Sequence, residues 1–252
     1  MAEKISGDLQ ARVTVSSVHY SFFKRLQLED LLIEDLRGDT LIYAERSNIR
    51  LRKFKPNKKR IHLSQVSLEN AYFNLHINKD TVNNLRFLID RLRNDTLLPE
   101  EKTVITIDRI RMSEARYTMT RERPTRRDRG IDFNDLEVKN LNTEVTDLHV
   151  EKDTVYMKVR ELSGIEKNGF RMKSVSFDLE IGKAHMIFTH AAVQTPASYA
   201  ELPEIGFSFS TFKDFRNIFQ EVHLDIHSSY AHLHLSELSQ FVPVFYPYSG
   251  FM

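Results

Sequence analysis

The chain has 252 residues, and 36 Lys and Arg against 35 Asp and Glu leave a formal net charge of +1. This balance argues against a dedicated nucleic-acid binder, because neutralising many phosphates requires a large cationic excess. Hydrophobic residues make up 41% and charged residues 28% of the chain, which disfavours both global disorder and an integral membrane bundle. Cysteine is absent, so disulfides, thiolate zinc sites and cysteine nucleophiles are excluded, whereas the redox compartment stays open.

The chain shows neither a membrane span nor a secretory signal. Its longest uncharged stretch, 184–200, is shorter than the roughly 20 residues that a span needs. The first residues lack the apolar region of a signal peptide. The sequence therefore predicts either a cytoplasmic protein or an excised segment of an exported one.

Alternating apolar and polar residues predict strands with one apolar and one polar face, first over 26–36 and then over 61–77. In the second run the phase slips at Ser64-Gln65, where a β-bulge would absorb one extra residue. Glu69-Asn70 then predicts a hairpin turn.

Helical periodicity follows over 81–93, where Leu85, Leu88, Ile89 and Leu92 share one face and Asp80 or Thr81 is available as the N-cap. The apolar stripe of this helix would pack onto a sheet, or else contact a partner or lipid.

The strand pattern of 61–73 returns 44 residues later, over 105–117, and a shorter echo covers 133–141. Such repetition predicts hairpins placed side by side in one long sheet. Alternation continues at 175–181 and 222–226. Two short helical segments are expected in this C-terminal third, one from Thr211 with Phe212, Phe215 and Phe219, and one from Ser236 that ends before Pro243.

Several of these phrases resemble a known family. The segments 15–31 and 38–44 resemble the opening of the AsmA-like/TamB (translocation and assembly module) family in its Bacteroidetes form. The segments 66–75 and 131–136 are similar to its recurrent strand sequences, and 235–243 is similar to its short Leu-rich segment that ends in Pro. The likeness covers nearly the whole chain, which would be an N-terminal periplasmic segment.

The resemblance implies an envelope protein that is anchored in the inner membrane by an N-terminal helix outside this sequence. Its periplasmic part would be a curved β-sheet with an apolar trough, similar to bridge proteins along which lipid chains slide between membranes. One family member is linked to outer-membrane protein assembly, which implies an outer-membrane β-barrel as a possible partner.

Residues and resemblance together predict a mainly β protein. We expect an elongated, curved and mostly antiparallel sheet over 1–252 with one to three short helices. Its apolar face would contact phospholipid acyl chains, or be covered by a helix or second sheet as in an ordinary sandwich. The candidate lipid-groove residues are Ile61, Leu63, Val66, Leu68, Ala71, Phe73, Leu75, Ile105, Ile107, Ile110, Met112, Ala115, Tyr117, Phe133, Leu136, Val138, Val175, Phe177, Leu179 and Ile181.

A run of seven cations without an acid covers 50–60. As a loop it would be solvated, or it would dock on an anionic membrane surface, where each cation contributes about 1 kcal/mol. The candidate membrane-surface residues are Lys53, Lys55, Lys58, Lys59 and Arg60. A second basic run, 121–129, contains five arginines and two acids.

Two histidine pairs are the nearest approach to a metal site. On a strand, His223 and His227 would lie about 13 Å apart and could not share an ion, whereas His232 and His234 would lie about 6.6 Å apart. No phosphate loop, nucleophile elbow or paired acid/base motif accompanies them. We therefore expect no catalytic, cofactor or metal residues. The two functions expected are lipid movement between the inner and outer membranes and a scaffold for outer-membrane protein assembly.

Overall fold

The computed structural model describes residues 11–21, 25–55, 60–79, 82–87, 104–122 and 129–241. The strands are β1 (Val13–Thr14), β2 (Ser17–Ser21), β3 (Arg25–Glu34), β4 (Thr40–Lys55), β5 (Arg60–Ile77), β6 (Val104–Arg121), β7 (Asp135–Glu151), β8 (Thr154–Glu166), β9 (Arg171–Met172), β10 (Ser174–Ile181), β11 (His185–Gln194), β12 (Tyr199–Ser208), β13 (His223–His227) and β14 (Tyr230–His232). A 3-10 helix (Phe212–Asn217) leads into α1 (Ile218–Glu221), and α2 (Leu235–Phe241) follows β14.

The 14 strands of the described residues belong to one open sheet. Its order is β1-β3-β4-β5-β6-β7-β8-β10-β11-β12-β13, with β2 on β3, β9 on β8 and β14 on β12. Every pairing is antiparallel except that of β5 with β6. The predicted mainly β, mostly antiparallel fold is confirmed. Among the described residues, no helix has the length and apolar character to cross a membrane.

The 44-residue repeat is a parallel pair and not a pair of hairpins, so that prediction was wrong. Ile61 pairs with Ile105, Leu68 with Met112 and Phe73 with Tyr117. Each pair is 44 residues apart, because parallel neighbours run in the same direction and keep a constant offset. Parallel strands need a crossover of a dozen or more residues. The helix predicted over 81–93 is wrong at 82–85, where Asn83 bridges to Ile77 and a turn follows. Arg86 and Phe87 are helical, and 81 and 88–93 lie outside the described residues.

The predicted hairpin at Glu69-Asn70 is also wrong, because β5 continues through it. Asn70 instead adopts a left-handed backbone with φ of 50°, which Asn tolerates better than most residues. Asp30, Glu114 and Asn140 do the same in β3, β6 and β7, with φ of 49°, 53° and 50°. The strands therefore share one local irregularity without turning back. The predicted bulge at Ser64-Gln65 is confirmed, since Arg50 pairs with Gln65 and Leu51 with Leu63, leaving Ser64 as the extra residue.

A row of small residues crosses the sheet beside these left-handed positions. Ala44 and Ala115 have no exposed surface and Ala71 is 2% exposed. Larger side chains from both sides pack against this alanine row (Ala44, Ala71 and Ala115), namely Leu68, Phe73, Met112 and Leu141. The row forms a small core within a single sheet. Because alanine side chains are small, the larger residues on either side of the row can pack closely there.

Both predicted C-terminal helical segments are present. In the 3-10 helix, Phe215 contacts Phe207 and Phe209 with ring centroids 5.9 and 5.1 Å apart. α2 begins at Leu235, so Ser236 lies inside its first turn, and Pro243 is outside the described residues. Phe241 of α2 meets the ring of Phe170 edge-on at 4.9 Å.

Candidate functional site: an uncovered apolar face

Apolar side chains form rows that continue from strand to strand on one face of the sheet, here called the apolar face. The first row occupies directly paired positions on seven neighbouring strands, at Leu26, Ile49, Val66, Ile110, Val145, Val159 and Phe177. The second row crosses eight strands, at Ile61, Ile105, Val150, Val155, Ile181, Met186, Phe207 and Leu224. The bulges keep the alternation in phase, so these rows share a face.

Most of the candidate lipid-groove residues are half-buried, which is unusual for a row of large apolar side chains in a core. These are Ile61, Leu63, Val66, Leu68, Phe73, Leu75, Ile105, Ile107, Ile110, Met112, Tyr117, Leu136, Val175, Phe177 and Ile181. Because every described strand belongs to one sheet, no second sheet covers the apolar face within the described ranges. The sandwich alternative is therefore not the arrangement of this part of the chain.

Five candidates differ from that majority. Ala71, Ala115, Val138 and Leu179 are buried, whereas Phe133 is 50% exposed. Phe133 precedes β7 and lies 6.4 Å from the ring of Phe241 in α2. The four buried residues contribute to the packing of the sheet, and their side chains offer little surface to a ligand.

Sequence reasoning missed apolar residues that extend the face, including two phenylalanines. Phe188 of β11 meets Phe177 of β10 at 5.2 Å and Phe207 of β12 at 6.1 Å, both edge-on. The 3-10 helix continues this series through Phe215. The signal was present as alternation in β11 and β12, where Met186 and Phe188, then Ile205 and Phe207, occupy every second position.

The opposite face, here called the polar face, is organised by ion pairs between strands. Arg111 of β6 donates from Nε to Glu144 of β7 at 2.7 Å, and Arg109 lies 3.4 Å from the same carboxylate. The hydrogen bond from Arg111 holds the pKa of Glu144 below its ordinary value, and the charge of Arg109 acts in the same direction. Arg160 and Asp178 pair likewise between β8 and β10 at 3.5 Å.

Much of the basic run at 50–60, predicted as a loop, belongs to strands. Lys53 and Lys55 belong to β4 and Arg60 begins β5, while Lys58 and Lys59 lie outside the described residues. Lys53 and Arg60 line a concavity of about 370 Å³ together with His62, Thr106, His149 and Glu151. The candidate membrane-surface residues that the structure describes therefore lie at one end of the sheet.

Near that concavity, the carboxylate of Asp108 is hydrogen-bonded to two side chains. It accepts a hydrogen bond from His62 Nε2 at 2.6 Å and one from Arg52 Nη1 at 2.9 Å. Burial raises the pKa of Asp108, but the two hydrogen bonds outweigh it and the net pKa is lowered. The carboxylate is thus held charged as a structural partner of a guanidinium and an imidazole N–H.

The histidines singled out in the sequence do not form a cluster. His223 and His227 occupy the two ends of β13, and His232 ends β14. His234 Nδ1 lies 2.6 Å from Ser236 Oγ. The described residues contain no group of three or more His, Cys, Asp or Glu side chains that could hold a metal ion.

The chain matches no protein-family model and is similar to no curated protein. The AsmA-like/TamB resemblance therefore rests on the sequence phrases alone. What the structure adds is the geometry of the apolar face and of the charges opposite it.

Proposed function

We propose that this chain is a non-catalytic segment of an envelope protein that carries phospholipid acyl chains along its apolar face. The observation that supports the proposal is the first row, in which Leu26, Ile49, Val66 and Ile110 remain half-buried on four neighbouring strands. Farther along the row Val145 and Val159 are buried, and Phe177 is again half-buried. An apolar row that stays partly exposed within the described residues has surface to offer to another apolar molecule.

The dimensions of the face suit an acyl chain. Seven strands spaced by about 4.8 Å extend the first row over roughly 29 Å. An acyl chain spans one leaflet, which is half of a hydrocarbon core about 30 Å thick, so the row is longer than one acyl chain. Each methylene group removed from water contributes about 0.8 kcal/mol, so an acyl chain lying along the row is stabilised without any polar contact. Its headgroup would remain in water beyond the sheet.

The sequence resemblance supplies the setting of the proposal. A segment of this kind would stand in the periplasm as part of an inner-membrane-anchored protein, and phospholipids would move along it between the inner and outer membranes. The ion-paired polar face would meet solvent, since charge pairs such as Arg111 and Glu144 favour water over lipid.

Lipid loading tests the proposal directly. The purified chain is incubated with phospholipid vesicles, re-isolated and analysed for bound phospholipid by native mass spectrometry. We expect bound lipid in the parent chain and a several-fold loss in the variant Ile105→Gln/Ile110→Gln, because two residues of the apolar face become polar. Ser113→Gln, on the same strand but exposed on the polar face, serves as the matched control and should retain the lipid.

Circular dichroism of each variant separates loss of binding from loss of folding. A parent chain without bound lipid, or a folded Ile105→Gln/Ile110→Gln variant that binds as much as the parent, would contradict the proposal.

A second candidate function, a scaffold for outer-membrane protein assembly, is favoured by the C-terminal edge of the sheet. β13 ends the strand order and β14 lies beside it on β12. Leu224, Ile226 and Tyr230 on these strands are 44%, 54% and 56% exposed. Such an edge can accept an added strand. A lipid-free chain that captures an unfolded β-barrel precursor, and loses it after Ile226→Lys, would support this candidate.

A further inference from the structure

The polar side chains of β3, β4 and β5 form a three-by-three grid. Its rows follow the register of the strands and are Arg25, Arg50 and Gln65, then Gln27, Asn48 and Ser67, then Glu29, Arg46 and Glu69. The intervening residues belong to the apolar face, so the grid lies on the opposite side of the sheet from the proposed lipid path.

The first row of the grid carries two positive charges, the second row carries none, and the third row carries one positive charge between two negative ones. There Arg46 lies between two acidic residues and contacts Glu69 at 3.4 Å. In the first row Arg25 stands directly opposite Arg50, and among the described residues neither guanidinium has a carboxylate within ion-pair distance. On the next strand, β6, the cation that continues this row is Arg109, and it forms an ion pair with Glu144 at 3.4 Å. Within the described ranges, the first row therefore has two neighbouring positive charges without a carboxylate partner.

This arrangement has an energetic cost. Like charges directly opposite each other on neighbouring strands destabilise a sheet. Several other arginines of the polar face, such as Arg111 and Arg160, have carboxylate partners on a neighbouring strand. The pairing of Arg25 with Arg50 is therefore an exception that a bound anion would relieve.

The surroundings of the two arginines supply further donors. A concavity of about 240 Å³ is lined by Arg25, Asn48, Arg50, Gln65 and Ser67, together with Ile49 and with Glu69, which is engaged by Arg46. Gln65 Nε2 donates to Ser67 Oγ at 2.9 Å, which leaves the Ser67 hydroxyl proton available to another acceptor. Asn48 contributes an amide on the middle row.

From this geometry we propose that Arg25 and Arg50, with Asn48 and Ser67, form a binding site for a phosphate group. Each guanidinium presents a planar fork that matches two oxygens of a phosphate. Two forks, an amide and a hydroxyl together exceed what the two oxygens of a carboxylate can accept, whereas a phosphate ester offers three or more. The phosphate comes either from a soluble phosphate ester or from an anionic phospholipid headgroup.

Calorimetric titration with glycerol 3-phosphate tests the site on the whole chain at low salt. We expect saturable binding in the parent chain and at least a tenfold weaker affinity in Arg25→Gln and in Arg50→Gln. Arg160→Gln is the matched control, because it removes the same charge from the same face but from an arginine with a protein partner, Asp178. Its affinity should stay within twofold of the parent.

Vesicle sedimentation then identifies the source of the phosphate. Binding to phosphatidylglycerol vesicles that is lost in Arg50→Gln assigns the site to headgroups, and binding of the soluble ester alone assigns it to free phosphate esters. Both results support the site. Absence of ester binding in the parent, or equal affinity in the parent and Arg25→Gln/Arg50→Gln, would overturn it. Acyl-chain loading should be unchanged in these variants, so the two proposals fail separately.

Discussion

At the residue scale, the sheet depends on side chains that lack bulk at defined positions. Ala44, Ala71 and Ala115 are buried together, and Ala71 and Ala115 each follow a residue with a left-handed backbone, Asn70 and Glu114. A Cβ alone fits where Leu68 and Phe73 approach from opposite sides of the row. A larger side chain would force its neighbours out of their rotamers.

Enlarging one member of the alanine row should therefore destabilise the fold. We expect Ala115→Leu to lower the free energy of unfolding by about 1 to 3 kcal/mol, the usual range for overpacking, as measured by urea denaturation. Ala231→Leu in β14 is the control, because Ala231 is exposed, and it should change stability by less than about 0.5 kcal/mol. Equal stability of the two variants would show that the row is not tightly packed.

The sequence identified which residues are apolar but not the role of the smallest. Ala71 and Ala115 occur at the positions expected for a groove surface, yet they have almost no exposed area. Alternation assigns a side chain to a face, and burial depends on what its neighbours across the sheet contribute. Phe73, Met112 and Leu141, which lie on three neighbouring strands, pack against the alanine row, and a pattern within one strand does not report such contacts.

At the element scale, the internal repeat was visible and its geometry was misjudged. Strands related by a constant offset suit parallel pairing, because each residue then has its own counterpart as neighbour. In a hairpin the order of partners is reversed, so the offset changes at each pair. The pairs Ile61 with Ile105 and Phe73 with Tyr117 keep the offset, and the segment predicted as a helix supplies a connection long enough for the crossover.

Engineered cysteines test the parallel register without interference, since the chain has no Cys. Asn74 and Thr118 are directly paired, and their side-chain oxygens lie 3.0 Å apart. We expect Asn74→Cys/Thr118→Cys to form a disulfide on mild oxidation, detected as a peptide pair by mass spectrometry.

Asn74→Cys/Thr120→Cys is displaced by two residues, which places its Cα atoms about 8 Å apart from the strand and sheet spacings, beyond the reach of a disulfide. A disulfide in this second variant but not in the first would rule out the register.

At the scale of the whole molecule, the fold class followed from period-two alternation, whereas the uncovered face did not. Alternation shows that one face avoids water without showing what covers it. In the structure every described strand belongs to one sheet, so no second sheet is present in this part of the chain, and Val66 and Ile110 are half-buried. A polypeptide that places its core in a row within one layer spreads its mass more widely than a two-layer domain of equal length.

Small-angle X-ray scattering measures this directly. A compact domain of 252 residues has a radius of gyration of about 18 Å by general scaling. We expect a clearly larger value, because strands placed side by side widen a single-layer sheet by about 4.8 Å each without thickening it. Light scattering on the same sample should give the monomer mass, which excludes dimerisation as the cause. A monomer with a radius near 18 Å would mean that the apolar face is covered in solution, and both the open sheet and the acyl-chain path along it would then be wrong.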